Sequence, residues 1–103
     1  MPDKEETGGI FEGPVIRKTL VSESIGAKDL RLDIITFPPG VRNKLHTHSY
    51  DQVLYILSGK GIVATLEEER VVEPGMLVFI PAGEKHWHGA TLDSSFSHIS
   101  ILR

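Results

Sequence analysis

Five histidines, His46, His48, His86, His88 and His98, carry most of the chemistry open to this 103-residue chain. Each lies inside an apolar run with strand character rather than in a loop. Side chains alternate along a strand, so His46 and His48 share a face, and a regular continuation brings Gln52 to it. The same arithmetic places His86 and His88 together. Several imidazoles packed into an interior without a cation leave acceptor nitrogens facing one another, and a divalent metal removes that conflict. Neutral imidazole and carboxamide donors suit one Mn, Fe, Ni, Co or Zn ion per chain. The chain has no cysteine, so disulfides, iron–sulfur clusters and thiolate zinc are excluded, and an open-sided site is expected.

A lone His-x-His is more often a surface or hydrogen-bonded pair than a metal site, but the pattern here is wider. Gly40, His46, His48, Gln52 and Gly59 stand at G-x5-H-x-H-x3-Q-x6-G, and Gly75, Pro81, Gly83 and His86 at G-x5-P-x-G-x2-H. Composition alone gives the glycines and histidines of the first pattern a chance of roughly 0.002.

The elements that must position these residues are short. Apolar runs rich in Val, Ile, Leu and Phe are punctuated by Pro38-Pro-Gly40, Ser58-Gly-Lys-Gly61, Glu73-Pro-Gly75 and Pro81-Ala-Gly83, which is the signature of many strands. The reading gives strands over Val15 to Ser22, Leu30 to Phe37, Lys44 to His48, Gln52 to Leu57, Gly61 to Leu66, Arg70 to Val72, Met76 to Ile80, Lys85 to Ala90 and Phe96 to Leu102. No window carries a helical apolar stripe. An all-β sandwich or barrel follows, as one domain over residues 14–103 preceded by a loose polar arm over 1–13. With 11 Lys+Arg against 14 Asp+Glu, the net charge of -3 offers no footprint for a phosphate backbone, so nucleic acid is not an expected partner. The longest purely apolar stretch, Met76 to Ile80, is far below the ~20 residues of a membrane span, and a cytoplasmic location is expected.

The two spacings resemble the motifs of the cupin superfamily, G-x5-H-x-H-x3,4-E-x6-G and G-x5-P-x-G-x2-H-x3-N. The resemblance covers Val15 to Leu102 and implies a double-stranded β-helix, or jelly-roll, barrel around one metal ion, commonly a homodimer. Carried over residue by residue, it makes His46, His48 and His86 metal ligands and puts Gln52 where the family usually has glutamate. A glutamine gives the metal no negative charge, so the ion keeps its full Lewis acidity and is held less tightly. The final Asn of the second motif is Ala90 here. Lys85-His-Trp-His-Gly-Ala90 and Ser97-His-Ile-Ser-Ile101 are similar to a bacterial subgroup that includes cupins associated with carboxymuconolactone decarboxylase domains and manganese hydroxynitrile lyases. The subgroup implies a catalytic base at His98 and usually has Thr where this chain has Ser97.

Periodicity does not decide which face of its strand His98 occupies, and a hydrogen-bonded core histidine is the plainer alternative to a catalytic one. His88 is read as pocket lining, with replacement of His86 as ligand left open. Lys44 and Tyr50 share the parity of His46 and His48 and are placed at the pocket rim, within reach of a substrate, with an ordinary rim or surface residue as the plainer reading of each. Asp33, mid-strand, is read as exposed, or else as a pocket carboxylate with an acid role. Trp87 is read as packing on the outer face or at a subunit interface.

Three functions compete at this stage. The first is a lyase, isomerase or ring-opening enzyme that uses the metal as Lewis acid on a small oxygenated metabolite, with His98 moving the proton. The others are a non-catalytic module binding a small molecule or the metal, and a metal-dependent dioxygenase. A homodimer is expected, since dimerisation covers sheet edges.

Overall fold

The computed structural model describes residues 4–6 and 13–103. Of the arm read over residues 1–13, residues 1–3 and 7–12 lie outside the described residues; Lys4–Glu6 pairs as an edge strand, β1. The other strands are β2 (Val15–Val21), β3 (Arg31–Phe37), β4 (Gln52–Gly59), β5 (Gly61–Thr65), β6 (Glu69–Val72), β7 (Leu77–Ile80), β8 (His86–Ala90) and β9 (Phe96–Leu102). Among the described residues the one helical element is a 3-10 turn, Glu23–Ile25, ended by Gly26 at φ 99°. No described helix is long and apolar enough to cross a membrane.

All pairing is antiparallel. A six-stranded sheet runs β1-β2-β3-β9-β4-β7, and a three-stranded sheet runs β6-β5-β8. This is the jelly-roll architecture expected from the sequence, although continuous pairing does not close the two sheets into one ring. Register fixes what faces inward: Phe37 lies opposite Phe96, Ile35 opposite His98, Asp33 opposite Ser100 and Arg31 opposite Leu102, while Ile56 and Leu54 of β4 meet His98 and Ser100. The interior is therefore graded along the strands. Val15, Phe37, Ile56 and Phe96 fill one end with buried apolar volume, and Asp33, Ser100 and Gln52 carry polar atoms at the other.

The strand read over Lys44 to His48 is not a regular strand. Residues 41–48 run beside β8 through two isolated bridges, Arg42↔Gly89 and His46↔His86. Asn43 N–H donates to His88 O at 3.0 Å, and His46 and His86 exchange backbone bonds at 3.0 Å. Lys44 and Leu45 thus stand against Trp87 alone. The extra residue is a bulge, and it inverts the parity of everything before it. Asn43, not Lys44, points inward with His46.

Two glycines permit close backbone approaches, Gly89 under the bulged segment and Gly59 beside Ser95, just before β9. A Cβ on Gly89 would lie 2.4 Å from Arg42 Cβ, and one on Gly59, at φ 75°, would lie 1.8 Å from Ser95 O.

Candidate metal centre

The bulged segment and β8 bring His46, His48 and His86 together, with one ring nitrogen from each within 4.8 Å of the others. The rings of His46 and His86 are 4.4 Å apart, and those of His48 and His86 4.8 Å. Two of the three are oriented in the same way. His46 Nδ1 lies 2.5 Å from Lys44 O, and His86 Nδ1 2.8 Å from Glu84 O. A carbonyl only accepts, so each Nδ1 carries the proton and each Nε2 presents a lone pair. Both Nε2 atoms are buried and have no hydrogen-bond partner.

Gln52, at the start of β4, lines one cavity with His46 and His48. Its Nε2 donates to Ser100 Oγ at 2.9 Å, which leaves Oε1 as the outward atom of the amide, also buried and without a partner. Three orphaned acceptors are costly unless a cation answers them, so the residues present fit a divalent metal. Burial and the neighbouring His86 and His46 lower the His48 pKa to about 4, and burial lowers that of His86. Both are thereby kept in the neutral form that a metal requires.

A cavity of about 270 Å³ is lined by Asn43, His46, His48, Gln52 and His88 together with Arg17, Arg31, Asp33 and Tyr50. His88 is buried and held by Asn43, whose Oδ1 accepts the His88 backbone N–H at 2.7 Å and whose Nδ2 lies 3.2 Å from His88 Nε2. Burial, with His98 the next contribution, drives the His88 pKa well below its ordinary value. His98 is fully buried, with burial lowering its pKa to about 4. It stands behind His88 at 4.9 Å, edge to face, against Phe37 and Phe96, and does not line the cavity.

The remaining rim residues divide. Tyr50 lines the cavity and stacks on His48 at 4.8 Å. Lys44 is exposed and contributes its carbonyl to His46 rather than its amine to the cavity. Asp33, expected on the surface, is 3% exposed. It is tolerated there because Arg31 Nε donates to it at 2.7 Å and Thr19 Oγ1 at 2.6 Å, from the same strand face and the facing strand. Trp87 is half-buried beneath the Arg42 guanidinium, 4.5 Å from the ring centroid. Sequence reasoning missed Asn43, whose inward position follows from the bulge, and Ser100, which shares the parity of His98 and could have been found from it.

An antiparallel jelly roll whose bulged segment and one strand gather three histidines that could hold a metal defines the class. Residues 33–102 match the Cupin_2 cupin-domain family, and the chain belongs to it. The chain is 38% identical over 71 residues to an (R)-mandelonitrile lyase of Granulicella tundricola, a match that covers 65% of this chain and about half, 52%, of that protein. Among solved structures, a cupin-like protein of Thermotoga maritima superposes with a TM-score of 0.89 at 32% identity, covering 95% of this chain and 74% of that one. The polyketide cyclase RemF of Streptomyces resistomycificus superposes at 0.86 with 20% identity, covering 97% and 72%, which speaks to the fold alone.

Proposed function

We propose that the protein is a metal-dependent lyase or isomerase acting on a small oxygenated metabolite. The observation that carries this reading is a set of three buried, partnerless acceptors: His46 Nε2 and His86 Nε2 belong to the cluster with His48, and Gln52 Oε1 belongs to a residue that lines the same cavity as His46 and His48. Likeness to a mandelonitrile lyase supports the choice of reaction class. A divalent metal held by His46, His48, His86 and Gln52 would supply Lewis acidity to a substrate oxygen.

The chain supplies the rest. Outside the three-histidine cluster, His88 is the imidazole that lines the cavity, and burial keeps it neutral, so it can accept a proton from a substrate hydroxyl or acidic carbon and return it. Asn43 fixes its backbone. His98 packs against it from behind, and so the base read at His98 acts through His88 as a positioning residue.

The test is metal content and turnover together. Protein purified without chelator should carry near-stoichiometric transition metal that a His46→Ala/His48→Ala variant lacks. Against a panel of cyanohydrins and enolisable ketones, His88→Ala should lose roughly 100- to 10,000-fold in rate. Full activity in that variant would remove His88 from the chemistry.

The cavity volume of about 270 Å³ favours one further reading, a binding module, since it is at the small end for a ligand site. A ligand that raises the melting temperature of metal-loaded protein and is recovered unchanged would support it over catalysis.

A further inference from the structure

The two sheets part where their edge strands do not pair. β6 ends the three-stranded sheet and β7 ends the six-stranded one, and among the described residues no ladder joins them. A cavity of about 260 Å³ lies at that seam, lined from β5 and β6 by Val63 and Val72 and from β7 by Val78 and Ile80. It is distinct from the cavity of His46, His48 and Gln52, since no lining residue is common to both.

The lining divides by burial. Val63, Val72 and Ile80 are buried together with His86, whereas Glu68, Arg70 and Glu84 are exposed. The charged groups thus keep to the water-facing end, where Arg70 Nε donates to Glu68 Oε1 at 3.3 Å, and the buried end offers hydrocarbon and one imidazole. An apolar cavity of about 150 Å³ already holds a benzene ring. Water gains few hydrogen bonds from such a wall, so hydrocarbon is its favoured occupant.

His86 joins this cavity to the histidine cluster. Its ring lies 4.4 Å from that of His46 and 4.8 Å from that of His48, both of which line the other cavity. The cluster therefore borders two cavities of different character, a polar one through His46 and His48 and an apolar one through His86. We infer that the apolar cavity is a subsite for an uncharged hydrocarbon group, a ring or a branched alkyl chain, on a molecule whose oxygen meets the histidine cluster. This rests on the metal-centre reading and deepens it. Val78, half-buried on the edge strand β7, is the residue of this wall that sets the size of group admitted.

Ligand-detected NMR titration of zinc-reconstituted protein with acetophenone and acetone, which share a carbonyl and differ by the ring, tests the inference, with metal content measured in each sample. Acetophenone should bind roughly tenfold tighter than acetone or better. Its ring protons should show nuclear Overhauser contacts to the methyl groups of Val63, Val72 and Val78. Val78→Phe, which fills the cavity, should abolish the preference, and Val78→Ala, which widens it, should keep it. Failure of acetophenone to bind, equal affinity for the two ketones, or contacts to Tyr50 and Ile35 of the polar cavity in place of the valines overturns the inference. So does a preference unchanged in folded Val78→Phe; should that variant not fold, the contacts in the wild type decide alone. Absence of metal from reconstituted protein overturns the metal reading instead. Chlorobenzene, which has no oxygen to offer a metal, should bind that metal-free protein with the same valine contacts, and its failure to do so would overturn the subsite as well.

Discussion

A histidine can be buried for its lone pairs or in spite of them, and both kinds occur here. His46 and His86 are aimed by carbonyls two residues earlier in the chain, so their free nitrogens face a common point. His98 lies buried among the rings of Phe37, Phe96 and His88. Its pKa of about 4 against the ordinary 6.5 means that the folded protein refuses a proton the unfolded chain accepts. Above pH 6.5 both forms are neutral and nothing is lost. As the pH falls from 6.5 towards 4, protonation of the unfolded chain draws the equilibrium away from the fold, by roughly 2 kcal/mol at pH 5 for this residue. His98→Leu, of similar size, should lose correspondingly less stability between pH 7 and pH 5. Urea denaturation of the two metal-free proteins at both pH values measures the difference, and equal losses would show that His98 is not the acid-sensitive group.

The element that decides the site is the irregular one. Residues 41–48 need β8 to hold their shape, and they reach it because Gly89 has no side chain. Gly89→Ala would place a Cβ 2.6 Å from Val41 O, so residues 41–43 must shift, and with them the segment that carries His46 and His48. The expected cost is about 1–3 kcal/mol in stability, with a loss of roughly tenfold or more in metal affinity through displaced supports. A metal titration followed by manganese paramagnetic resonance reads the second effect. Unchanged affinity would mean that the bulge, not the contact with Gly89, sets the ligand geometry.

At the scale of the molecule, the outer face of the six-stranded sheet is unusual for a surface exposed to water. Phe79 and Leu77 of β7 are 58% and 64% exposed. They lie opposite Val53 and Tyr55, which in turn lie opposite Ile101 and Ile99, so the apolar positions run in rows across three strands. A second copy of the chain would cover such a self-complementary face, and a homodimer remains the expected assembly. Sedimentation at micromolar concentration should give the mass of two chains for the wild type and of one for Phe79→Arg. A monomeric wild type would end the expectation.

The sequence by itself carried the strand class through its turn residues, and its resemblance to the cupin motifs carried the family and the candidate donors His46, His48, Gln52 and His86, because those motifs are fixed by glycine, proline and histidine spacing. It did not determine faces wherever the alternation broke. One extra residue at Lys44-Leu45 moved Lys44 out and Asn43 in, and period-2 reasoning has no way to see a bulge before the partner strand is known. Nor could it tell that Asp33 would be buried, since its stabilising partners are Arg31 on the same strand face and Thr19 across a strand pair fourteen residues away in sequence. The tertiary structure alone decided which of His88 and His98 meets the cavity. His88 and His98 belong to different sheets, and only the packing of those sheets puts one in front of the other.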